Sequence, residues 1–485
     1  MKKIIIICIL FVSISSCTSD YEELNKDPLA ATKVPTTALL TAATQSLINV
    51  NSGLGYNKTM MFYSQQWAQR ETTTRSVYGL SPDGDWSAFY GILPEIMEII
   101  KLNTGEDKDS YAAYGKNENQ IAVATILKVW VFHNLTDTWG NVPYSETFND
   151  DITSPKFDNQ EDIYPALLQE LKDAVALIDT NASGFTSGDL MYNGDMTKWK
   201  TFANSMRARI AMRMSEVNPG LAKTEVADAL GASVFTSNND NAVIAFQNEE
   251  ANANPLYIEF LTQKWTFIAE PLTDLMNSYG SGTASTPSDP RTSKYADPND
   301  AGEYIGFPYG LETTDTFNYA IGDRSLPNAT TRAIDFNSYI MTYSELLFIK
   351  AEAEQRGWFG TAGNAATTYK QAITASMEQW GVSSTATTSY LTQTDVLYNA
   401  SNWKKYIGEQ KYLALFSQGG NAWSEWRRLD YPILNFPTAG LLNTTEIPRR
   451  YFYPTNEGII NGDNLDQAVI DMGGDTFSTR MWWDQ

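Results

Sequence analysis

Both cysteines of this chain, Cys8 and Cys17, lie at its N-terminus, so no disulfide is available to hold the rest of its 485 residues together. A single histidine, His133, accompanies them, which removes His-rich zinc sites, Cys-based metal sites and iron–sulfur clusters. Stability must therefore come from packing. Any catalytic triad would rest on His133 alone, and VWVFHNL is so apolar that a core histidine is expected there instead of a general base. With 35 Lys and Arg against 57 Asp and Glu, the formal charge is −22, and a binder of nucleic acid phosphates is disfavoured because it needs cations to displace counterions.

The first residues read MKKIIIICILFVSISS: two lysines, an apolar run from Ile4 to Val12, then small residues. This pattern predicts a secretory signal over 1–16, too short to span a bilayer as a helix. Ser15 and Ser16 stand directly before Cys17, as in a bacterial lipoprotein box, with Ile14 where leucine is common. Cleavage would make Cys17 the acylated N-terminus, and several acyl chains anchor far more firmly than one. The following stretch, TSDYEELNKDP, is acidic and poor in apolar side chains, and predicts a tether over 17–36.

From about Thr36 the apolar residues recur with helical period. Residues 121–135 (IAVATILKVWVFHNL) are apolar nearly all round, the mark of a helix buried among others. Asp158 to Glu161 reads as a capping box, followed by Ile163, Leu167, Leu168, Leu171, Val175 and Ile178 on one helical face. Residues 198–217 and 339–356 are predicted helices, the second stopped by Gly357. Ala365, Tyr369 and Ala372 put two small residues and one ring on a single face, the packing logic of tetratricopeptide-like helix pairs, echoed at Leu167, Leu171 and Ala174. Helices are thus expected over about 37–236 and 338–432. A loop-rich insert is expected over about 237–337, broken by one helix near 265–279, and an irregular part over 433–485. Long loops of this kind tend to carry function.

No GxSxG, HExxH or phosphate-loop motif occurs, and 57 acidic residues make any carboxylate pair uninformative about glycoside hydrolysis. Asp83-Gly84-Asp85 and Asn461-Gly462-Asp463-Asn464 offer oxygen donors of the type calcium takes, but neither has the EF-hand spacing and turn formation is the expected role. No cofactor or resident metal is expected. The informative feature is the aromatic content: 13 Trp, 26 Tyr and 21 Phe, many beside Gly, Pro or Asn. An aromatic face stacks on the C–H face of a sugar ring, while neighbouring amides, carboxylates and guanidinium groups bind its hydroxyls. On composition and loop position, the candidate ligand-binding residues are Trp67, Arg70, Tyr78, Trp86, Tyr309 and Tyr319, and Cys17 is the lipidation site.

With these features in place, the chain resembles the SusD/RagB family, in its branch of SusD-like nutrient-binding lipoproteins. The resemblance is carried by LNKDP at 24–28, LTDTWGNVPYSE at 135–146, PKFDNQEDIYPALLQEL at 155–171, NGDMTKWKTFANSMRARIAMR at 193–213 and SDPR at 288–291. It continues in MTYSELLFIKAEAEQRGW at 341–358, YKQAITASMEQWG at 369–381, IGEQKYLALFSQGGNAWSEWRRLDYP at 407–432, IPRRYFYPTNE at 447–457 and WWD at 482–484. It implies a mostly α-helical single domain over 37–485 with tetratricopeptide-like helix pairs and an irregular ligand face. It also implies a place on the outer membrane, facing the exterior, beside a SusC-like TonB-dependent transporter, with a glycan or a peptide as ligand. Under the same resemblance, Lys198, Trp199 and Arg207 fix helix packing, and Arg427, Arg428 and Arg449 pair with acidic groups. The function expected is non-catalytic glycan capture and delivery. The alternatives are a peptide-binding lid of a peptide transporter and a lipid-anchored helical glycoside hydrolase or lyase.

Overall fold

The computed structural model describes residues 33–79, 83–437, 439 and 446–485; the expected signal segment, Cys17 and nearly all of the acidic tether lie outside them. Helices dominate. Among the described residues Asn117–Trp139 forms the longest of them, with buried side chains on every face, as its nearly continuous apolar run over 121–135 requires. It packs against Leu93–Thr104 and Gln160–Leu177, and Met196–Arg213 packs in turn against Gln160–Leu177 and Pro219–Gly231. Asp195 starts Met196–Arg213 by accepting from the backbone N–H groups of Thr197 and Lys198. Trp199 donates to Asp189 over 2.7 Å, and Arg207 bridges to Asp228 on the next helix, so both hold helix packing.

The predicted helix at 339–356 is shorter. Asn337–Met341 is a strand, Thr342 caps the chain by accepting from Glu345 N–H, and the helix runs Tyr343–Gln355. Gly357 then takes a positive φ of 67°, the left-handed stop expected of it. Ala365, Tyr369 and Ala372 are all fully buried on Ala365–Gln379, where this helix packs against Tyr343–Gln355. The capping box at Asp158–Glu161 does not form. Asp158 instead accepts from the backbone N–H groups of Tyr144 and Ser145, tying the preceding loop, and Asn159 precedes helix Gln160–Leu177 with no side-chain cap.

Among the described residues three two-stranded antiparallel sheets fasten separate parts of the chain. Trp67–Gln69 pairs with Thr266–Ile268, Val142–Pro143 with Phe157–Asp158, and Ala242–Ala245 with Asn337–Met341. The helix expected near 265–279 is therefore split: its first residues are strand and only Glu270–Asn277 is helical. Pro271, at the second helical position where its missing N–H is harmless, suits that start.

The apolar core falls into two large clusters, both packed against by Tyr343, and a small third formed by Ala68, Phe267, Ala269 and Phe307. The third lies beneath the loop-rich stretch, with Tyr309, Leu311, Tyr319 and Leu326 against it. Among the described residues no helix is long and apolar enough to cross a membrane.

Candidate ligand-binding site

A groove of about 630 Å³ opens where three segments meet. Glu270, Pro271, Asp274 and Leu275 come from helix Glu270–Asn277, Lys405 and Glu409 from helix Trp403–Ala414, and 431–437 (YPILNFP) forms a third wall. That third wall begins where helix Gly419–Leu429 ends at Asp430, in the left-handed conformation, and Pro432 and Pro437 keep it from becoming helical. Hydrogen bonds pin it: Trp426 donates to Pro432 O over 3.1 Å, and Gln65 Nε2 to Asn435 O over 2.7 Å. Tyr309 lines the groove as well, its hydroxyl fixed to Phe62 O at 2.6 Å. Tyr431 and Phe436 are half-buried, and Ile433 is 73% exposed.

Beside the groove lies a platform of rings and guanidinium groups. Arg70, just past strand Trp67–Gln69, holds its guanidinium 5.4 Å from the centre of the Phe317 ring, donates to Tyr319 O at 3.3 Å and pairs with Glu71. Glu71 accepts from Trp265 Nε1 over 2.9 Å. Arg324 lies 4.8 Å from the centre of the Tyr319 ring and donates to Gly306 O, and Tyr319 packs against the same small apolar cluster as Tyr309 of the groove, which links the two parts. Phe317 is 58% exposed, unusual for so large an apolar ring that a cation already partly covers. Gln65, Glu71 and Tyr78 all take positive φ although none is glycine (54°, 74° and 59°). Backbone held in that region costs free energy and clusters where side chains must be aimed.

Burial raises the carboxyl groups of Glu270, Asp274 and Glu409 above their ordinary values, and Tyr279 donates a hydrogen bond to Glu409. His133, fully buried, is pushed down to about 4 by the loss of water and is neutral at pH 7, away from the groove. Among the described residues no cluster of three or more His, Cys, Asp or Glu is placed to hold a metal. Asp83-Gly84-Asp85 opens helix Asp83–Tyr90, and Asn461-Gly462-Asp463-Asn464 opens helix Gly462–Met472.

Of the six expected ligand residues, the structure brings Arg70, Tyr309 and Tyr319 together at this face, each partly exposed. Trp67, Tyr78 and Trp86 are corrections: all three rings turn inward. Trp67 is 4% exposed and packs on Phe62, and Tyr78 is fully buried, edge-on to Tyr63. Trp86 is 6% exposed among Tyr90, Trp139 and Tyr453, and edges a separate cavity of about 390 Å³ that shares no residue with the groove. Removing such large apolar faces from water outweighs leaving them free for a ligand.

Of the arginines expected to pair with acids, Arg428 and Arg449 do so. Arg427 does not: it donates to the carbonyls of Arg449 and Asp137 and lies 3.5 Å from the centre of the Trp423 ring. Sequence reasoning missed Trp265, Tyr431, Phe436 and the groove acids. The signal for the third wall is present in YPILNFP, where two prolines flank three apolar residues directly after a helix.

The family model described as "SusD-like, starch-binding associating with outer membrane" matches residues 28–454. A comparison with curated proteins finds no match. Among solved structures, a chitin-binding SusD homolog from Flavobacterium johnsoniae is 27% identical at a TM-score of 0.76, over 92% of this chain and 98% of its own. A second protein, named as chitin-binding, is 27% identical at 0.78, over 93% and 100%. A SusD homolog from Parabacteroides distasonis, 24% identical, shares the fold at 0.80 over 93% and 98%. On a match that spans most of its length, the chain belongs to the SusD-like family of outer-membrane-associated proteins.

Proposed function

We propose that this protein is a surface-exposed outer-membrane lipoprotein, anchored through Cys17, that captures a glycan nutrient and delivers it unaltered to a SusC-like TonB-dependent transporter. The observation that carries the reading is the joined groove and ring platform: exposed Phe317 and half-buried Tyr319, Tyr431 and Phe436 offer faces to sugar rings, while Arg70, Arg324 and Asn435 supply polar partners. The chitin-binding names of two relatives and the starch-binding description of the family support a carbohydrate ligand. The scaffold of successive helix pairs is read as tetratricopeptide-like, within one domain over 37–485, with the loop-rich stretch as its ligand face.

The test is direct titration of the protein with glycans, comparing wild type with Phe317→Ala and Tyr431→Ala. Each variant should weaken capture about tenfold, the effect of losing one stacked ring, with little change in folding stability because these rings are only partly covered. Affinities unaltered by both substitutions, or release of reducing ends from the glycan, would overturn the reading. Anchoring is checked separately. Cys17→Ala should shift the protein out of the outer-membrane fraction with its fold intact, and its recovery there in wild-type amount would contradict lipid attachment.

A further inference from the structure

The charge of the groove carries a more specific conclusion. Among the described residues three carboxylates line it, from Glu270, Asp274 and Glu409, against one lining ammonium, that of Lys405, with the Arg324 guanidinium acting on Glu270 from beside the groove. Among the described residues neither Glu270 nor Asp274 has a side-chain hydrogen bond or ion pair, and they sit four apart on one helix, where like charges repel. A second feature points to a ligand. Gln65, also part of the lining, is fully buried and held at positive φ, yet its Oε1 has no hydrogen-bond partner while its Nε2 serves Tyr78 and Asn435. A buried acceptor left unmatched is costly unless a donor arrives. Unpaired acids and an unmatched acceptor call for a donor-rich, cationic occupant, and Tyr309, Tyr431 and Phe436 call for one with flat C–H faces.

We infer that the groove selects glycans bearing protonated amino groups, such as partly deacetylated chitin, over neutral and acidic ones. The inference rests on the glycan-capture reading above. The overall charge of −22 works in the same direction by drawing cationic chains toward the protein before contact. An amine placed between Glu270 and Asp274 relieves their mutual repulsion, which a neutral acetamide cannot do.

The experiment titrates the full-length protein, in detergent, with glucosamine hexamer, N-acetylglucosamine hexamer and oligolysine, at a pH where the amines are protonated. The glucosamine hexamer should bind about tenfold or more tighter than the acetylated one, and the ratio should shrink as salt is raised. In the double variant Glu270→Gln, Asp274→Asn the ratio should fall below about threefold. Both residues are partly exposed, and the salt series on wild type gives the same answer independently of the variant. Equal affinity for the two hexamers, each weakened by Tyr431→Ala, would overturn the charge selectivity alone. Binding of neither hexamer by a protein that still captures a neutral glycan such as maltohexaose would overturn the selectivity alone, binding of none of the three glycans would overturn the glycan reading as well, and tight binding of oligolysine with no glycan bound would assign the groove to peptide.

Discussion

Trp86→Ala is expected to destabilise the protein by about 3–5 kcal/mol while leaving the glycan affinity of the folded molecules unaltered. The indole is 6% exposed and is met edge-on by Trp139 at 5.3 Å and Tyr453 at 6.1 Å, with Tyr90 at 4.9 Å and Phe157 stacked at 6.2 Å. These partners come from four separate segments. Truncation to alanine removes the one ring that touches all of them, and their own neighbours limit how far they can collapse into the space. The contrast is Phe317→Ala, whose ring is mostly in water: little stability should be lost and capture should weaken. Urea unfolding and glycan titration on both variants separate the roles. A Trp86→Ala protein as stable as wild type but weak in binding would reverse the assignment and return Trp86 to the ligand.

The residues surrounding Trp86 show why the fold was easier to read than the site. Residues 121–135 of helix Asn117–Trp139 are apolar nearly all round, and Ala365, Tyr369 and Ala372 repeat at helical spacing, so one-dimensional pattern suffices to place them against neighbours. The strands were invisible for the opposite reason. Trp67–Gln69 is three residues long and its partner, Thr266–Ile268, is far away in sequence, so no period of two can build up. The site fails to announce itself for a third reason. An aromatic residue between Gly, Ser and Asp suits a ligand loop and the first turn of a buried helix equally well, and only the tertiary environment separates Trp86 from Phe317. Charge was harder still: Glu270 and Asp274 become groove acids only because helix Glu270–Asn277 faces 431–437, which lies far along the chain.

The second large effect concerns charge inside the scaffold. Arg428 is fully buried and clasps Glu352 with two hydrogen bonds of 2.7 and 2.6 Å while also donating to Glu425 at 2.8 Å. Glu425 is held as well by Arg213 and by Lys411 at 2.8 Å, and Glu352 by Arg356 at 3.0 Å. The network ties together helices Met196–Arg213, Tyr343–Gln355, Trp403–Ala414 and Gly419–Leu429. Burial alone would raise the Glu352 carboxyl, but the charge and hydrogen bonds of Arg428, together with the charge of Arg356, outweigh it and hold the group down at about 2. Arg428→Met leaves two carboxylates short of a partner in a dry interior, and should cost about 3–5 kcal/mol. Because a folded-state value below the ordinary 4.5 gives stability that is present above 4.5, wild type should lose on the order of 3 kcal/mol as pH falls from there to about 2. Glu352→Gln should lack that acid-sensitive part. The double variant Glu352→Gln, Arg428→Met should cost clearly less than the sum of the two single changes, since each removes the same pair. Urea unfolding at pH 7, 4 and 2 reads all of these at once. Strict additivity, or an Arg428→Met cost below about 1 kcal/mol, would mean that packing of the four helices, and not the ions between them, sets their arrangement.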